Sequence, residues 1–174
     1  WIHQQFSFNT RLILYGTIRY SDYSINLLKV FTEVYTCVIG GVVAKNFLNK
    51  LESTAKKNRS LLCVGLDPDP DRMPVRDLVE FNKTIIEATQ DLVCAYKPNM
   101  AFYESIGIDG LRALEATLNF IPPEIPVIGD AKRGDIGNTA ERYAKSMFEL
   151  WDFDATTVNA FGGLDSIEPF RDFK

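Results

Sequence analysis

The sequence contains very little histidine or cysteine. Its single histidine, His3, lies in a stretch with no other chemically distinctive residue, so a histidine-based catalytic triad or a zinc site would lack partners. The three cysteines, Cys37, Cys63 and Cys94, do not have the spacing of metal ligands, and two of them lie in apolar runs where a free thiol simply packs. Both kinds of site are therefore excluded, and the cysteine usage predicts a reducing, cytoplasmic location.

The sequence also lacks an excess of basic residues and a long uninterrupted apolar run. The net charge of −4 offers no positive field for a polyanion, which argues against a nucleic-acid partner and requires any phosphate to be held by a local site. The most apolar stretch, residues 25–44, is interrupted by Lys29 and Glu33, which argues against a membrane anchor. The 174 residues, 46% of them hydrophobic, are enough for one globular domain with a core.

Residues 1–43 differ in character from the rest of the chain. They are rich in tyrosine, threonine, isoleucine and valine, contain no proline and show no recurring turn residues. We therefore place a boundary near Val43, and interpret residues 1–43 as an unassigned extension and residues 44–174 as the folded domain. Because the chain begins with Trp1 rather than methionine, we hypothesise that natural translation starts at a valine codon, at Val42 or Val43, and that the extension is translated upstream sequence.

From residue 44 onward, short apolar runs alternate with longer amphipathic runs. In residues 45–58 the apolar side chains recur at helical spacing. The same pattern predicts strands at 61–66, 92–96, 125–129 and 155–158, and further helices at 75–90, 108–119 and 136–150. The predicted strands lack a clean apolar–polar alternation, which is typical of a parallel sheet covered by helices, so we expect an α/β fold.

Polar residues stand at the ends of these predicted strands: Asp67, Lys97, the pair Asp130 and Lys132, and Asn159. Such groups at the ends of consecutive strands favour a TIM (β/α)8 barrel, because its strand ends converge on one catalytic face. An open doubly wound sheet usually carries a glycine-rich turn, and no G-x-G-x-x-G follows the first strand. Since a complete barrel needs roughly 250 residues, we expect a barrel truncated to about its first four βα units.

The segment around residue 130 is the strongest candidate for chemistry. Side chains two apart on a strand share a face, so Asp130 and Lys132 are expected to point together into the barrel mouth. Asp135 follows at the start of a helix, where a carboxylate is favoured. Placing several charges in a shielded site costs about several kcal/mol per ion before pairing. This cost suggests that the charges have a function. D-x-K-x-x-D alone is a weak pattern, however, and a structural salt-bridge cluster, or Asp135 as a helix cap, remains an alternative.

Three segments resemble a known family. The stretch VIGDAKRGDIGNTAERYA at residues 127–144 resembles the signature of orotidine 5′-phosphate decarboxylase, and LLCVGLDPDPDRMP at 61–74 and AYKPNMAFYE at 95–104 resemble flanking segments of its bacterial variant. The resemblance covers roughly residues 46–174. It implies a barrel enzyme that decarboxylates orotidine 5′-phosphate to UMP, the last step of de novo pyrimidine biosynthesis, with neither a metal nor an organic cofactor.

The resemblance also implies roles for individual residues. It places Lys97, Asp130 and Lys132 in a network of alternating charges, which Asp135 completes across the interface of a homodimer. It matches Asp67 to an aspartate that contacts the ribose and Thr139 to a residue that reaches the partner's active site. We add Asn159, at a strand end, to the expected substrate-binding residues.

Two alternatives stay open. A magnesium-dependent sugar-phosphate lyase of the same superfamily, such as the 3-keto-gulonate phosphate decarboxylase group, shares the D-x-K-x-x-D element, and a non-catalytic half-barrel would use the charges only to stabilise an interface. The resemblance also implies that the phosphate is held by an arginine and loops from the last strands of the barrel. Those strands are absent here, so we expect the isolated chain to be inactive and to fold poorly.

Overall fold

The computed structural model describes residues 35–38 and 41–173. The remaining positions, which include His3 and most of the predicted extension, lie outside the described residues. The strands are β1 Tyr35–Val38, β2 Cys63–Leu66, β3 Ala95–Pro98, β4 Ile128–Arg133 and β5 Ala155–Asn159. The helices are α1 Gly41–Asn58, α2 Leu78–Thr89, α3 Met100–Glu104, α4 Ile108–Leu118, α5 Gly137–Lys145 and α6 Glu168–Arg171, with a π-helical turn at Ser146–Leu150 and 3₁₀ turns at Ala160–Gly162 and Leu164–Ser166.

The helices form where the apolar residues recur along one side. In α1, Phe47 is 1% exposed and, with Leu48 and Leu51, packs on a cluster that includes Ile128 and Ala155 of the strands. Helix α2 begins where the Asp77 side chain accepts the N–H groups of the next turn, at 2.8 and 3.1 Å. Burial of an apolar stripe and capping of the free N–H groups thus fix these helices on the sheet.

Strands β2 to β5 are parallel and lie side by side in chain order. β2 pairs with β3, and β4 pairs with β5. Parallel bridges at Tyr96 with Val127 and at Asn99 with Asp130 connect β3 to β4. Parallel neighbours in chain order, with a helix between each pair, form a partial α/β arrangement of the kind found in β/α barrels. Their carboxyl ends therefore lie along one edge of the sheet.

Strand β1 lies on the other edge of β5 and runs antiparallel to it. Tyr35 pairs with Asn159 and Val38 with Thr156. Helix α1 begins at Gly41, so it crosses the proposed boundary between the extension and the domain. The division into residues 1–43 and 44–174 stays a prediction.

The four predicted strands correspond in order to β2, β3, β4 and β5, but the first three begin later than predicted, and β1 was not predicted. Leu61 and Leu92, which opened the predicted strands at 61–66 and 92–96, are 82% and 52% exposed. They precede β2 and β3, because an apolar residue can stand at the surface and periodicity does not reveal this. Within the described residues, none of the helices has the length and apolarity to cross a bilayer.

Gly129 in β4 is expected to be intolerant of a side chain. A Cβ atom there would lie 2.3 Å from Cδ2 of the Phe153 ring, which is itself only 2% exposed. We therefore expect Gly129→Ala to lower the free energy of unfolding by about 1–3 kcal/mol, the usual cost of overpacking. Urea denaturation of the full natural gene product, with and without the substitution, measures the difference.

Gly65→Ala is the matched control on a neighbouring part of the sheet. The nearest atom to a Cβ at Gly65 is Oδ1 of Asp67 at 3.5 Å, an ordinary contact. This variant should stay within about 0.5 kcal/mol of the parent chain. Equal losses in the two variants would show that the Phe153 ring does not limit the space at Gly129.

Candidate active site

The candidate site lies where the parallel strands end. Asp67 follows β2, Lys97 is in β3, Asp130 is in β4, and Asn159 closes β5. Because adjacent parallel strands end at the same edge, four polar residues that are far apart in sequence come to one face. That face carries the charged cluster described next.

The Asp130 carboxylate is the centre of the cluster. Its Oδ2 accepts a hydrogen bond from Nζ of Lys97 at 2.8 Å, and its Oδ1 accepts one from Nζ of Lys132 at 2.6 Å. The Thr157 hydroxyl donates to the same Oδ1 at 2.9 Å. The Asp130 and Lys97 side chains are 7% and 13% exposed, whereas that of Lys132 is 38% exposed. One buried carboxylate therefore holds a partly buried ammonium on one side and a solvent-accessible ammonium on the other.

Lys132 reaches Asp130 by a backbone irregularity rather than by strand alternation. Gly129 pairs with Thr156 and Arg133 with Val158, so β4 holds extra residues between these two pairs, and Lys132 has a φ of +50°. The expectation that simple alternation places Lys132 beside Asp130 is therefore corrected: a bulge delivers the contact. A non-glycine residue in the left-handed region costs of order 1–3 kcal/mol and persists only when its surroundings hold it there.

The pKa of Asp130 lies below its ordinary value. Burial of the carboxylate acts to raise this pKa, but the hydrogen bond from Lys132, the charge and hydrogen bond of Lys97 and the Thr157 hydroxyl together outweigh burial. The carboxylate is thus ionised at neutral pH. An ionised Asp130 is the form that can pair with both lysines.

Asp67 lies in a different electrostatic environment. Burial raises its pKa, and the charge of Lys97 and the backbone hydrogen bond from Asn99 offset only part of that rise. Its Oδ1 accepts the Asn99 N–H at 3.2 Å, which ties the end of β2 to the end of β3. Asp67 therefore lies near the cluster and is held by the backbone of the neighbouring strand.

Asp135, Thr139 and Asn159 lie outside the Asp130 cluster. Asp135 is exposed, and its Oδ1 accepts the N–H of Ile136 at 2.8 Å. The N-cap residue of α5 is Ile136, and no side chain caps that helix, so the alternative reading of Asp135 as a helix cap is wrong. Thr139 is exposed in the first turn of α5. Asn159 accepts the Phe161 N–H at 3.0 Å and so caps the turn after β5.

Sequence reasoning missed two residues near the site. Thr157 lies in a strand read only as an apolar run, although a buried threonine in such a run signals a hydroxyl that needs a partner. Arg133, at the end of β4, forms an ion pair with Glu104 of α3, and its guanidinium lies 5.4 Å from the centre of the Tyr143 ring. The residue types gave no signal for the Arg133 contacts, since they depend on the bulge that precedes it.

The arrangement favours chemistry in which negative charge develops. An ammonium aimed from a partly shielded site stabilises a forming anion and can also donate a proton to it. Strand-end lysines and aspartates on consecutive βα units place the chain in the β/α class, with its charged groups arranged as on the catalytic face of a β/α barrel.

The comparison with protein families identifies which barrel family this is. A family model described as "Orotidine 5'-phosphate decarboxylase / HUMPS family" matches residues 60–172. The chain belongs to this family.

Individual relatives agree with the family match. The chain is 52% identical over 129 residues to an orotidine 5'-phosphate decarboxylase of Dehalococcoides mccartyi, covering 74% of this chain and 48% of the relative. It is 54% identical over 130 residues to one of Herpetosiphon aurantiacus, covering 71% of this chain and 49% of the relative. The solved structure of Leishmania donovani OMP decarboxylase matches with a TM-score of 0.64 at 42% identity, covering 71% of this chain and 48% of that one. The chain thus spans about half the length of the curated relatives it matches.

Replacing Asp130 with asparagine tests the electrostatic balance of the cluster. Because the pKa of Asp130 is lower in the folded chain than in the unfolded chain, its ionised form stabilises the fold above about pH 4, and this is lost as the pH falls through the folded value. We expect Asp130→Asn to lower the free energy of unfolding by about 3 kcal/mol at neutral pH, and the difference to vanish in acid. Urea denaturation across this pH range measures both effects.

Asp67→Asn is the matched control because the pKa of Asp67 is shifted in the opposite direction. Burial raises this pKa, so ionisation of Asp67 opposes folding as the pH rises through the folded value. Its replacement should leave the free energy of unfolding at neutral pH unchanged or higher. Similar losses at Asp67 and Asp130, with the same pH dependence, would contradict the assignment of Asp130 as the centre of the cluster.

Proposed function

We propose that the protein containing this chain decarboxylates orotidine 5′-phosphate to UMP, the last step of de novo pyrimidine biosynthesis. The observation that carries the proposal is the Asp130 carboxylate, held between the Lys97 and Lys132 ammonium groups at the strand ends. Membership of the family and curated relatives named orotidine 5'-phosphate decarboxylase support it. The remaining steps derive what these residues would do in that reaction.

The difficult step is the loss of CO₂ from C6 of the orotate ring. The electron pair of the breaking C–C bond stays on C6 as a vinyl carbanion, which the ring cannot delocalise well. An ammonium at Lys132 would offset this charge as it develops and then transfer a proton to C6, which leaves a neutral amine. Lys132 is the more exposed of the two lysines, so a bound nucleotide could reach it. Lys132 is therefore the proposed proton donor.

The other members of the cluster would position Lys132 and the nucleotide. Asp130 would hold the Lys132 amine in position through the hydrogen bond between them. Lys97 balances the second oxygen of Asp130 and, with Asp135, would contact the ribose hydroxyls. Asp67 and Asn159 are further proposed contacts to the nucleotide. Holding the unreactive part of a substrate in place lowers the entropic cost of reaching the transition state.

We also propose a homodimer in which Asp135 and Thr139 complete the partner's site. Both are exposed and lie beside the strand ends, away from the Asp130 cluster of their own chain. Large apolar side chains are exposed nearby: Ile136 at 58%, Phe161 at 91% and Leu164 at 65%. Exposed apolar residues rimmed by polar ones are typical of a surface that another protein covers.

The proposal includes a reaction that needs no metal or organic cofactor and a cytoplasmic location. The phosphate of the nucleotide would be held outside the matched segment, in the half of the relatives' length that this chain does not cover. We therefore expect the 174-residue chain alone to show little or no turnover. Assays of activity accordingly use the full natural gene product that contains this chain.

Lys132→Ala is the most direct test of the proposed chemistry. Loss of an aimed proton donor and of the charge that stabilises the carbanion should lower kcat at least about 1,000-fold. Release of CO₂ from carboxyl-labelled orotidine 5′-phosphate measures turnover, and circular dichroism measures folding. Lys83→Ala is the matched control, because Lys83 lies on α2, where it contacts Glu87 and the Phe120 ring rather than the strand-end cluster, and it should keep full activity.

Two outcomes would reject the proposal in different ways. Turnover that stops when a chelator is added and returns with magnesium would favour the sugar-phosphate lyase alternative. A folded gene product with no turnover of orotidine 5′-phosphate would favour a non-catalytic half-barrel.

Mixing two inactive variants tests the proposed role of the partner subunit. If Asp135 acts across the interface, a dimer of one Lys132→Ala subunit and one Asp135→Ala subunit has one site with both residues intact. Random exchange of subunits should then restore about a quarter of the parent activity, because half of the dimers are mixed and each has one working site. No recovery after confirmed subunit exchange would place Asp135 in the site of its own chain, or outside the chemistry.

A further inference from the structure

We propose that Thr157 is a positioning residue that links the backbone of Lys132 to the Asp130 carboxylate, so that the aim of the Lys132 ammonium depends on one hydroxyl group. The link itself is a feature of this chain. Its consequence for turnover rests on the proposed function.

The Thr157 hydroxyl contacts two separate parts of the cluster. It accepts the backbone N–H of Lys132 at 3.0 Å and donates its proton to Oδ1 of Asp130 at 2.9 Å. The assignment of donor and acceptor is unique, since a backbone N–H can only donate and an ionised carboxylate can only accept. Thr157 is 2% exposed, so water does not readily replace either bond. The hydroxyl thus connects the backbone of Lys132 to the carboxylate that holds the other end of the same residue, its ammonium group.

The backbone of Lys132 needs such a partner. The register shift between β4 and β5 removes Lys132 from the regular ladder, and its φ of +50° is a conformation that residues other than glycine rarely adopt. A hydrogen bond from its N–H to a fixed acceptor is what can hold this conformation in place. Threonine suits the role because its branched Cβ restricts the rotation that aims the hydroxyl.

The neighbouring residue shows that the two contacts are specific to one face of β5. Thr156 is also a buried threonine, but its hydroxyl donates to the carbonyl oxygen of Gly129 at 2.8 Å. Successive side chains of a strand point to opposite faces, so the Thr156 hydroxyl is directed away from Asp130. Thr156→Val therefore removes a buried hydroxyl that also bonds to β4, but it leaves the bonds of Thr157 to Lys132 and Asp130 in place.

The first experiment needs no catalytic activity. Selective ¹⁵N-lysine labelling of the full natural gene product, with the Lys132 signal assigned by its absence in Lys132→Arg, lets hydrogen exchange measure the protection of the Lys132 amide. Thr157→Val should accelerate this exchange about tenfold or more, the effect of losing one buried hydrogen bond, whereas Thr157→Ser and Thr156→Val should leave it within about threefold of the parent chain. Equal acceleration in Thr157→Val and Thr156→Val, or no rescue by Thr157→Ser, would overturn the proposal.

The second experiment uses the full gene product and compares kcat with KM. If the hydroxyl aims the Lys132 amine, Thr157→Val should lower kcat about tenfold or more and change KM less, because the aim of the amine matters most in the transition state. Thr157→Ser should recover most of kcat, and Thr156→Val should keep it. A Thr157→Val variant with parent kcat would overturn the catalytic part of the proposal.

The two experiments separate this inference from the proposed function. A parent protein without turnover rejects the proposed function, while the exchange of the Lys132 amide still tests the link. If Thr157→Val does not fold, Thr157→Ala removes the same hydroxyl without a branched side chain and carries the same expectations. Failure of both variants to fold, with Thr157→Ser folded, would assign Thr157 a purely structural role and overturn the proposal.

Discussion

The structure depends on one ionised carboxylate between two ammonium groups. The Asp130 carboxylate accepts a hydrogen bond from both amines, so without it Lys97 and Lys132 would lose the partner that they share in a partly shielded site. The three residues belong to β3 and β4, which pair through isolated bridges rather than a continuous ladder, so the Lys97–Asp130 ion pair also helps to hold their carboxyl ends together. The ion pairs that the proposed chemistry uses are therefore also the ones that join these strand ends, so a change at Asp130 affects both.

Much of this arrangement could be predicted from the sequence. Alternating apolar and amphipathic runs indicated parallel βα units, and polar residues at the strand ends indicated a shared edge that brings Lys97 to Asp130. The bulge could not be predicted, because a lysine gives no indication in the sequence that its backbone adopts the left-handed conformation. The contacts of Thr157 with this bulge could not be predicted for a related reason. Threonine is common in strands, and the partners of its hydroxyl can be identified only when the register of β4 and β5 is known.

Asp135 shows a different limit. In the single chain Asp135 lies at the surface, and its carboxylate accepts the N–H of the neighbouring Ile136. Its surroundings in this chain do not indicate a catalytic role. The expectation of such a role came from resemblance alone. In the proposed dimer the partners of Asp135 would lie on another subunit, and a single chain offers only exposure and apolar neighbours such as Ile136 and Phe161 in support of that.

The antiparallel pairing of β1 with β5 has a consequence for barrel closure. Each side of a strand offers one row of N–H and C=O groups, and Tyr35–Val38 occupy the row of β5 that faces away from β4. In a closed barrel a parallel neighbour uses that row. The two pairings are mutually exclusive, so a parallel strand could join β5 on that side only if Tyr35–Val38 left it.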